Sequence, residues 1–89
     1  MSKLTNADGG TYVVNDTAEA VKNAIGIYVA SDAVFARIEV GGDTDTDVKA
    51  NYISTVGTAV PAGTTLRPGD VGFFSAVTLT SGTVVLILD

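Results

Sequence analysis

Apolar and polar residues alternate along much of the chain, and a period of two marks strands that bury one face. Ile25, Ile27 and Val29 alternate with Gly26 and Tyr28, and Val34, Ala36, Ile38 and Val40 alternate with Phe35, Arg37 and Glu39. The pattern predicts two strands joined through Ser31-Asp32, an antiparallel pair with Arg37 and Glu39 on the outward face. An ion pair across strands is the ordinary role for those two charges, and a pair between subunits the sharper one.

Thr11-Tyr12-Val13-Val14-Asn15 predicts an earlier strand. It follows the turn-prone Asn6-Ala7-Asp8-Gly9-Gly10, so residues 1–10 read as a flexible N-terminal arm and residues 11–89 as a single β domain. Asp16-Thr17-Ala18-Glu19 has the spacing of a capping box, and the residues from Ala18 to Ala24 are mostly good helix formers. The segment is too short for a stable helix and predicts a loop with one helical turn. Tyr52-Ile53-Ser54-Thr55-Val56 predicts a weaker strand and Thr64-Thr65-Leu66 a very short one. Turn signals flank the latter at Pro61-Ala62-Gly63 and at Arg67-Pro68-Gly69-Asp70, where proline then glycine suits a type II turn.

The last third gives the clearest prediction. Phe73 to Thr80 and Thr83 to Leu88 flank Ser81-Gly82, a connection of the kind that closes a tight hairpin. That turn sets Leu79 opposite Val84 and Val77 opposite Leu86 on one face, with Thr78 opposite Val85 and Ala76 opposite Ile87 on the other. Both faces are apolar, so the hairpin must lie between two layers or between its own core and another subunit. Left uncovered, Val84-Val85-Leu86-Ile87-Leu88 is an aggregation-prone run of high β-propensity without charge. Phe74, Ala76, Val85 and Ile87 are the expected oligomer interface. The fold class is all-β, a small antiparallel β-sandwich or barrel-like domain with a C-terminal β-hairpin.

Composition narrows function by exclusion. Among 89 residues there is no histidine and no cysteine, which removes imidazole acid–base catalysis, thiol chemistry, disulfides and zinc sites built from those residues. Without disulfides, a core this small is expected to gain stability by burial against copies of itself or a partner. A net charge of −5, with basic residues scattered singly at Lys3, Lys22, Arg37, Lys49 and Arg67, gives no positive patch for nucleic acid or anionic lipid. No apolar run approaches the roughly 18 residues of a spanning helix, and Met1-Ser2-Lys3-Leu4-Thr5-Asn6 lacks a signal-like apolar stretch. Synthesis in the cytoplasm of the producing cell is the expectation.

Asp43, Asp45 and Asp47 alternate after Gly41-Gly42 and open like a calcium loop. Val48 stands where that motif needs glycine, and Ser54 where it needs a bidentate glutamate, which excludes an EF-hand. A solvated acidic loop is the main reading of the triplet and a weak Ca²⁺ or Mg²⁺ site the minor one. Carboxylate-pair chemistry requires a substrate groove that nothing in the sequence supplies, so neither catalysis nor a cofactor is expected. Tyr12, Tyr28, Tyr52 and Phe35 lack the regular spacing of a sugar-stacking surface and read as packing residues.

Three segments carry a resemblance: Leu4-Thr5-Asn6-Ala7-Asp8-Gly9-Gly10-Thr11-Tyr12-Val13-Val14, Ala33-Val34-Phe35, and Pro61-Ala62-Gly63-Thr64-Thr65-Leu66 through Phe73-Phe74-Ser75-Ala76-Val77-Thr78-Leu79-Thr80-Ser81-Gly82-Thr83-Val84. In order and wording they resemble small head decoration (cement) or head-fibre proteins of tailed bacteriophages. The resemblance implies a homotrimer on the outside of an icosahedral shell, strengthening contacts between major capsid proteins. On that basis the C-terminal hairpins are expected to pack about the symmetry axis while the N-terminal arm or the acidic loop meets the capsid, with Leu4, Thr5 and Tyr12 as the expected contact residues. A tail-fibre, neck or adhesion module that binds host-surface glycan is the alternative, and a small acidic inhibitor with its Asp-rich loop on a basic partner is a third.

Overall fold

A computed structural model describes residues 10–88. Four strands form one antiparallel sheet in the order β1-β4-β2-β3, with β1 at Thr11–Val14, β2 at Ala20–Val40, β3 at Thr65–Leu66 and β4 at Phe74–Leu88. The all-β class holds. Residues 1–9 of the expected arm and Asp89 lie outside the described residues.

Two of the strands are unusually long, at 21 residues for β2 and 15 for β4. They form an antiparallel ladder from Ala24↔Leu88 through Tyr28↔Val85 and Ile38↔Val77 to Val40↔Phe74. The sheet then curls until β2 meets both edges of the first half of β4. Val77 pairs with Ile38 on one side and Ala20 on the other, and Ala76 with Glu39 and Val21. Phe74, Ser75, Ala76 and Val77 are consequently all buried, which explains a run apolar on both faces.

The expected C-terminal hairpin is absent. Ser81-Gly82 lies inside β4, so Val84 faces Val29 instead of Leu79, and Leu86 faces Ile27 instead of Val77. The expected pair of strands joined at Ser31-Asp32 is likewise one strand, each half of which pairs with β4. Both turn signals mark one bend. The register shifts at Val29/Ser31, Ser31/Val34 and Val34/Phe35, a bulged stretch of the ladder. Gly82 has φ +90, and a Cβ there would collide with the Asp32 carbonyl oxygen and lie 2.5 Å from the Ala33 Cα. Glycine is thus required where the bulged part of β2 presses against β4. Asp32 serves the same bend by accepting the Ala62 N–H at 2.9 Å, and Ala33 exchanges both backbone hydrogen bonds with Val60.

Other local expectations meet the structure in different ways. β1 and β3 fall where alternation and turn signals put them. The segment expected to make a helical turn instead enters β2 at Ala20, since pairing with the edge of β4 outweighs the propensity of a piece this short. Asp16 Oδ1 accepts the Ala18 N–H at 3.2 Å just before it. No strand forms at Tyr52–Val56, which follows a 3-10 turn at Lys49–Asn51. Tyr52 packs edge-on against Phe74, ring centroids 5.2 Å apart, and donates its hydroxyl to the Pro68 carbonyl at 3.0 Å. Pro68 has ψ −16 and a 3-10 turn follows at Gly69–Val71, in place of the type II turn.

The core is one cluster that includes Val14, Ile27, Val29, Phe35, Ile38, Leu66, Phe74, Val77, Leu79, Val84 and Leu86. In the second half of β4 the alternation is plain: Val84 and Leu86 point inward, Val85 is half-buried and Ile87 is exposed.

Candidate assembly surface

The register sets residues of all four strands side by side on the outer face. Val13 of β1 lies opposite Val85 of β4, which lies opposite Tyr28 of β2, which lies opposite Thr65 of β3. One step along, Thr11, Ile87 and Gly26 make a second row. Gly26 leaves room for Ile87, whose Cδ1 would lie 3.4 Å from a Cβ at position 26. Val13 is 54% exposed and Tyr28 42%, and neither row holds a charge on a chain of net charge −5. Exposed apolar residues gathered without an intervening charge make this face the candidate assembly surface.

Only part of the expected interface lies there. Val85 and Ile87 belong to this surface. Phe74 and Ala76 have no exposed area because the curled sheet encloses them, so they are core residues and cannot meet another subunit. The assignment failed because it took the missing hairpin's register, which put all four on one face. Of the residues expected to touch a capsid, Tyr12 is 42% exposed on β1, with the Lys22 ammonium 5.0 Å from its ring centroid. Leu4 and Thr5 lie outside the described residues.

Arg37 and Glu39 do not share an outward face. Glu39 is completely buried, with Oε2 accepting from Arg37 Nε at 2.7 Å and Oε1 without a protein partner among the described residues. Arg37 remains partly in water, donates from Nη2 to the Asp45 carbonyl at 3.1 Å, and is held more firmly protonated, first by that hydrogen bond to Glu39 and then by its charge. The pair ties β2 to the loop that follows it.

That acidic loop is folded on itself. Asp43 Oδ1 accepts the N–H groups of Asp45 and Thr46 at 2.6 and 3.1 Å, and these bonds hold its carboxyl below the usual range, the Asp45 N–H most of all. Asp47 Oδ1 accepts from the backbone of Ile38 and Lys49, and its Oδ2 pairs with the Lys49 ammonium. Burial pushes the Asp47 carboxyl up, but the Lys49 side chain and the two N–H donors outweigh it and leave it lowered. Among the described residues no three acidic groups gather as a cation site, and Asp43 and Asp47 instead act as turn-closing acceptors. The minor reading of Asp43, Asp45 and Asp47 as a cation site therefore has no geometry behind it.

A concavity of about 290 Å³ is lined by residues that include Tyr52, Ile53, Thr58, Val60, Pro61 and Leu66. Its wall carries hydroxyls and apolar side chains but no ionisable group other than the Tyr52 phenol, which is engaged with Pro68. Among the described residues no helix is long and apolar enough to cross a membrane. No family model matches the sequence, and no curated protein or solved structure matches it either.

Proposed function

We propose that the protein is a structural component of a tailed-phage virion. In this reading it self-associates and decorates the outside of the head, bound to the major capsid protein, with no enzymatic role. The observation that carries the proposal is the uncharged outer surface of Val13, Val85, Tyr28 and Ile87, continuous across three strands of a chain otherwise rich in acid. The resemblance of the segments around Leu4–Val14 and Phe73–Val84 to decoration and head-fibre proteins adds the setting. Made in the host cytoplasm, the protein would reside on the capsid surface, where many copies meet at high local concentration and weak contacts act together.

The test is twofold. Native mass across a dilution series is expected to rise above the 9.0 kDa monomer, and the protein is expected to sediment saturably with expanded capsids. The trimer implied by the resemblance corresponds to about three chain masses. A monomer that never sediments with capsids would overturn the reading.

The alternative, a tail-fibre, neck or adhesion module that binds glycan, draws on one observation: Tyr28 presents an aromatic ring to solvent beside Thr65. Binding to a panel of host-surface glycans, lost on Tyr28→Ala, would favour it over decoration.

A further inference from the structure

Among the described strands β1 lies at an edge of the sheet, and the hydrogen bonds around it show which of its backbone groups have no partner there. The Leu88 N–H donates to the Gly10 carbonyl at 2.9 Å. Opposed residues in an antiparallel ladder alternate between pairs that exchange both hydrogen bonds and pairs that exchange none. With Gly10 and Leu88 bonded, Tyr12–Leu86 and Val14–Val84 are bonded pairs, whereas Thr11–Ile87 and Val13–Val85 are not. The N–H and C=O groups of Thr11 and Val13 therefore point away from β4. None of the four has a partner among the described residues.

We propose that this edge docks a second copy of the chain, β1 lying antiparallel to the β1 of its neighbour about a twofold axis at Tyr12. The inference rests on the self-association reading above and names the contact. Its first support is spacing. Thr11 and Val13 are two residues apart, so a twofold pairing sets Thr11 of each copy opposite Val13 of the other and satisfies all four open groups of each edge.

The second support is the absence of protection. Edge strands are normally blunted by lysine, proline, a bulge or an inward charge. Thr11-Tyr12-Val13-Val14 has none of these. The third is continuity, since the pairing joins the outer row Val13, Val85 and Tyr28 to the row of Thr11, Ile87 and Gly26 in the neighbour. The contact is also small. Four residues a side fall well short of the roughly 800 Å² per partner of a stable interface, so association is weak and reversible in dilute solution. Each copy carries a net charge of −5, and added salt strengthens the pairing by screening their repulsion.

Val13→Pro tests the edge in the full chain. The Val13 N–H points outward, so proline removes an open donor without breaking the bonds to β4. Sedimentation of the parent protein is expected to move between one and two chain masses with concentration. V13P should weaken dimerisation by about tenfold or more, as each copy loses one intermolecular hydrogen bond. Amide exchange in the unmodified protein gives an independent readout. Thr11 and Val13 should slow as concentration rises, while Tyr12 and Val14 are protected throughout.

A parent protein that stays monomeric at millimolar concentration overturns the proposal, as does exchange at Thr11 and Val13 that ignores concentration. An assembly of three chain masses that V13P leaves intact overturns it too, and supports self-association through another surface.

Discussion

Arg37 and Glu39 form an ion pair on β2 with one member partly in water and the other wholly out of it, Nε to Oε2 at 2.7 Å. Taking a carboxylate out of water is expensive, and among the described residues the guanidinium is the only charged partner in hydrogen-bond contact with it. Removing Arg37 leaves the buried charge uncompensated. Arg37→Met is expected to destabilise the fold, though less than for a fully buried pair because Arg37 is partly solvated. Glu39→Met removes the charge itself and should leave stability within about 1 kcal/mol of the parent, or raise it. Urea unfolding of both variants decides the matter, and equal losses would refute the asymmetry.

Gly82 gives a sharper stability prediction. A side chain there meets both the Asp32 carbonyl and the Ala33 backbone, in addition to adopting a left-handed φ. Gly82→Ala should cost about 3 kcal/mol or more, from strain and overpacking together. Gly57 also has a left-handed φ but has nothing within 4 Å of its would-be Cβ, so Gly57→Ala should cost only about 1 kcal/mol. Thermal or urea unfolding of the two side by side isolates the contribution of that close approach.

Acid should weaken the fold through Asp43 and Asp47. Both carboxyls titrate below their ordinary range in the folded state. The folded protein thus binds fewer protons than the unfolded chain in that interval. The stabilisation is present above the ordinary aspartate pKa and is lost as pH falls through the lowered folded values. Unfolding measured between neutral pH and pH 3 should show falling stability in the acid limb. Asp43→Asn and Asp47→Asn should each flatten that limb, and an unchanged slope in the double variant would refute the assignment.

Two substitutions in β4 separate core from surface. Phe74→Ala opens a cavity beneath Tyr52 and should cost about 3–5 kcal/mol. Ile87→Asp places a charge on a residue already 36% exposed, and the monomer should stay folded. If the outer face takes part in assembly, native mass should fall with Ile87→Asp while the circular dichroism spectrum is preserved.

How far the sequence could be read depended on which physical signal each residue carried. Alternation found the strand content, and Thr65-Leu66 between two turn signals was legible because proline and glycine constrain the backbone locally. Ser31-Asp32 and Ser81-Gly82 were misread because a bulge and a hairpin turn call for the same small or polar residues. What distinguishes them is the neighbouring strand that presses there, which lies far off in the chain. Glu39 followed the same logic: a charge two residues from an arginine fits a solvated face, and only the curl of the sheet buries it. Val85 and Ile87 were found as surface-facing residues, but the same hairpin register wrongly added Phe74 and Ala76. The open edge at Thr11 and Val13 is invisible to residue type, since it is set by hydrogen-bond phase.

The ladder between β2 and β4 also dictates an order of events during synthesis. β2 emerges from the ribosome long before β4, so Gly26, Ile27 and Tyr28 wait for Ile87, Leu86 and Val85 with their pairing edge unoccupied. β1, made earlier still, has only the far end of β4 to join. Folding is therefore governed by closure between distant parts of the chain and should be slow for a domain of this size. Before β4 emerges the nascent chain has, among the described strands, just the two-residue pairing of β2 with β3 and the bridge of Ala33 to Val60 to fall back on, and its premature partners are the same segments of other chains being made nearby.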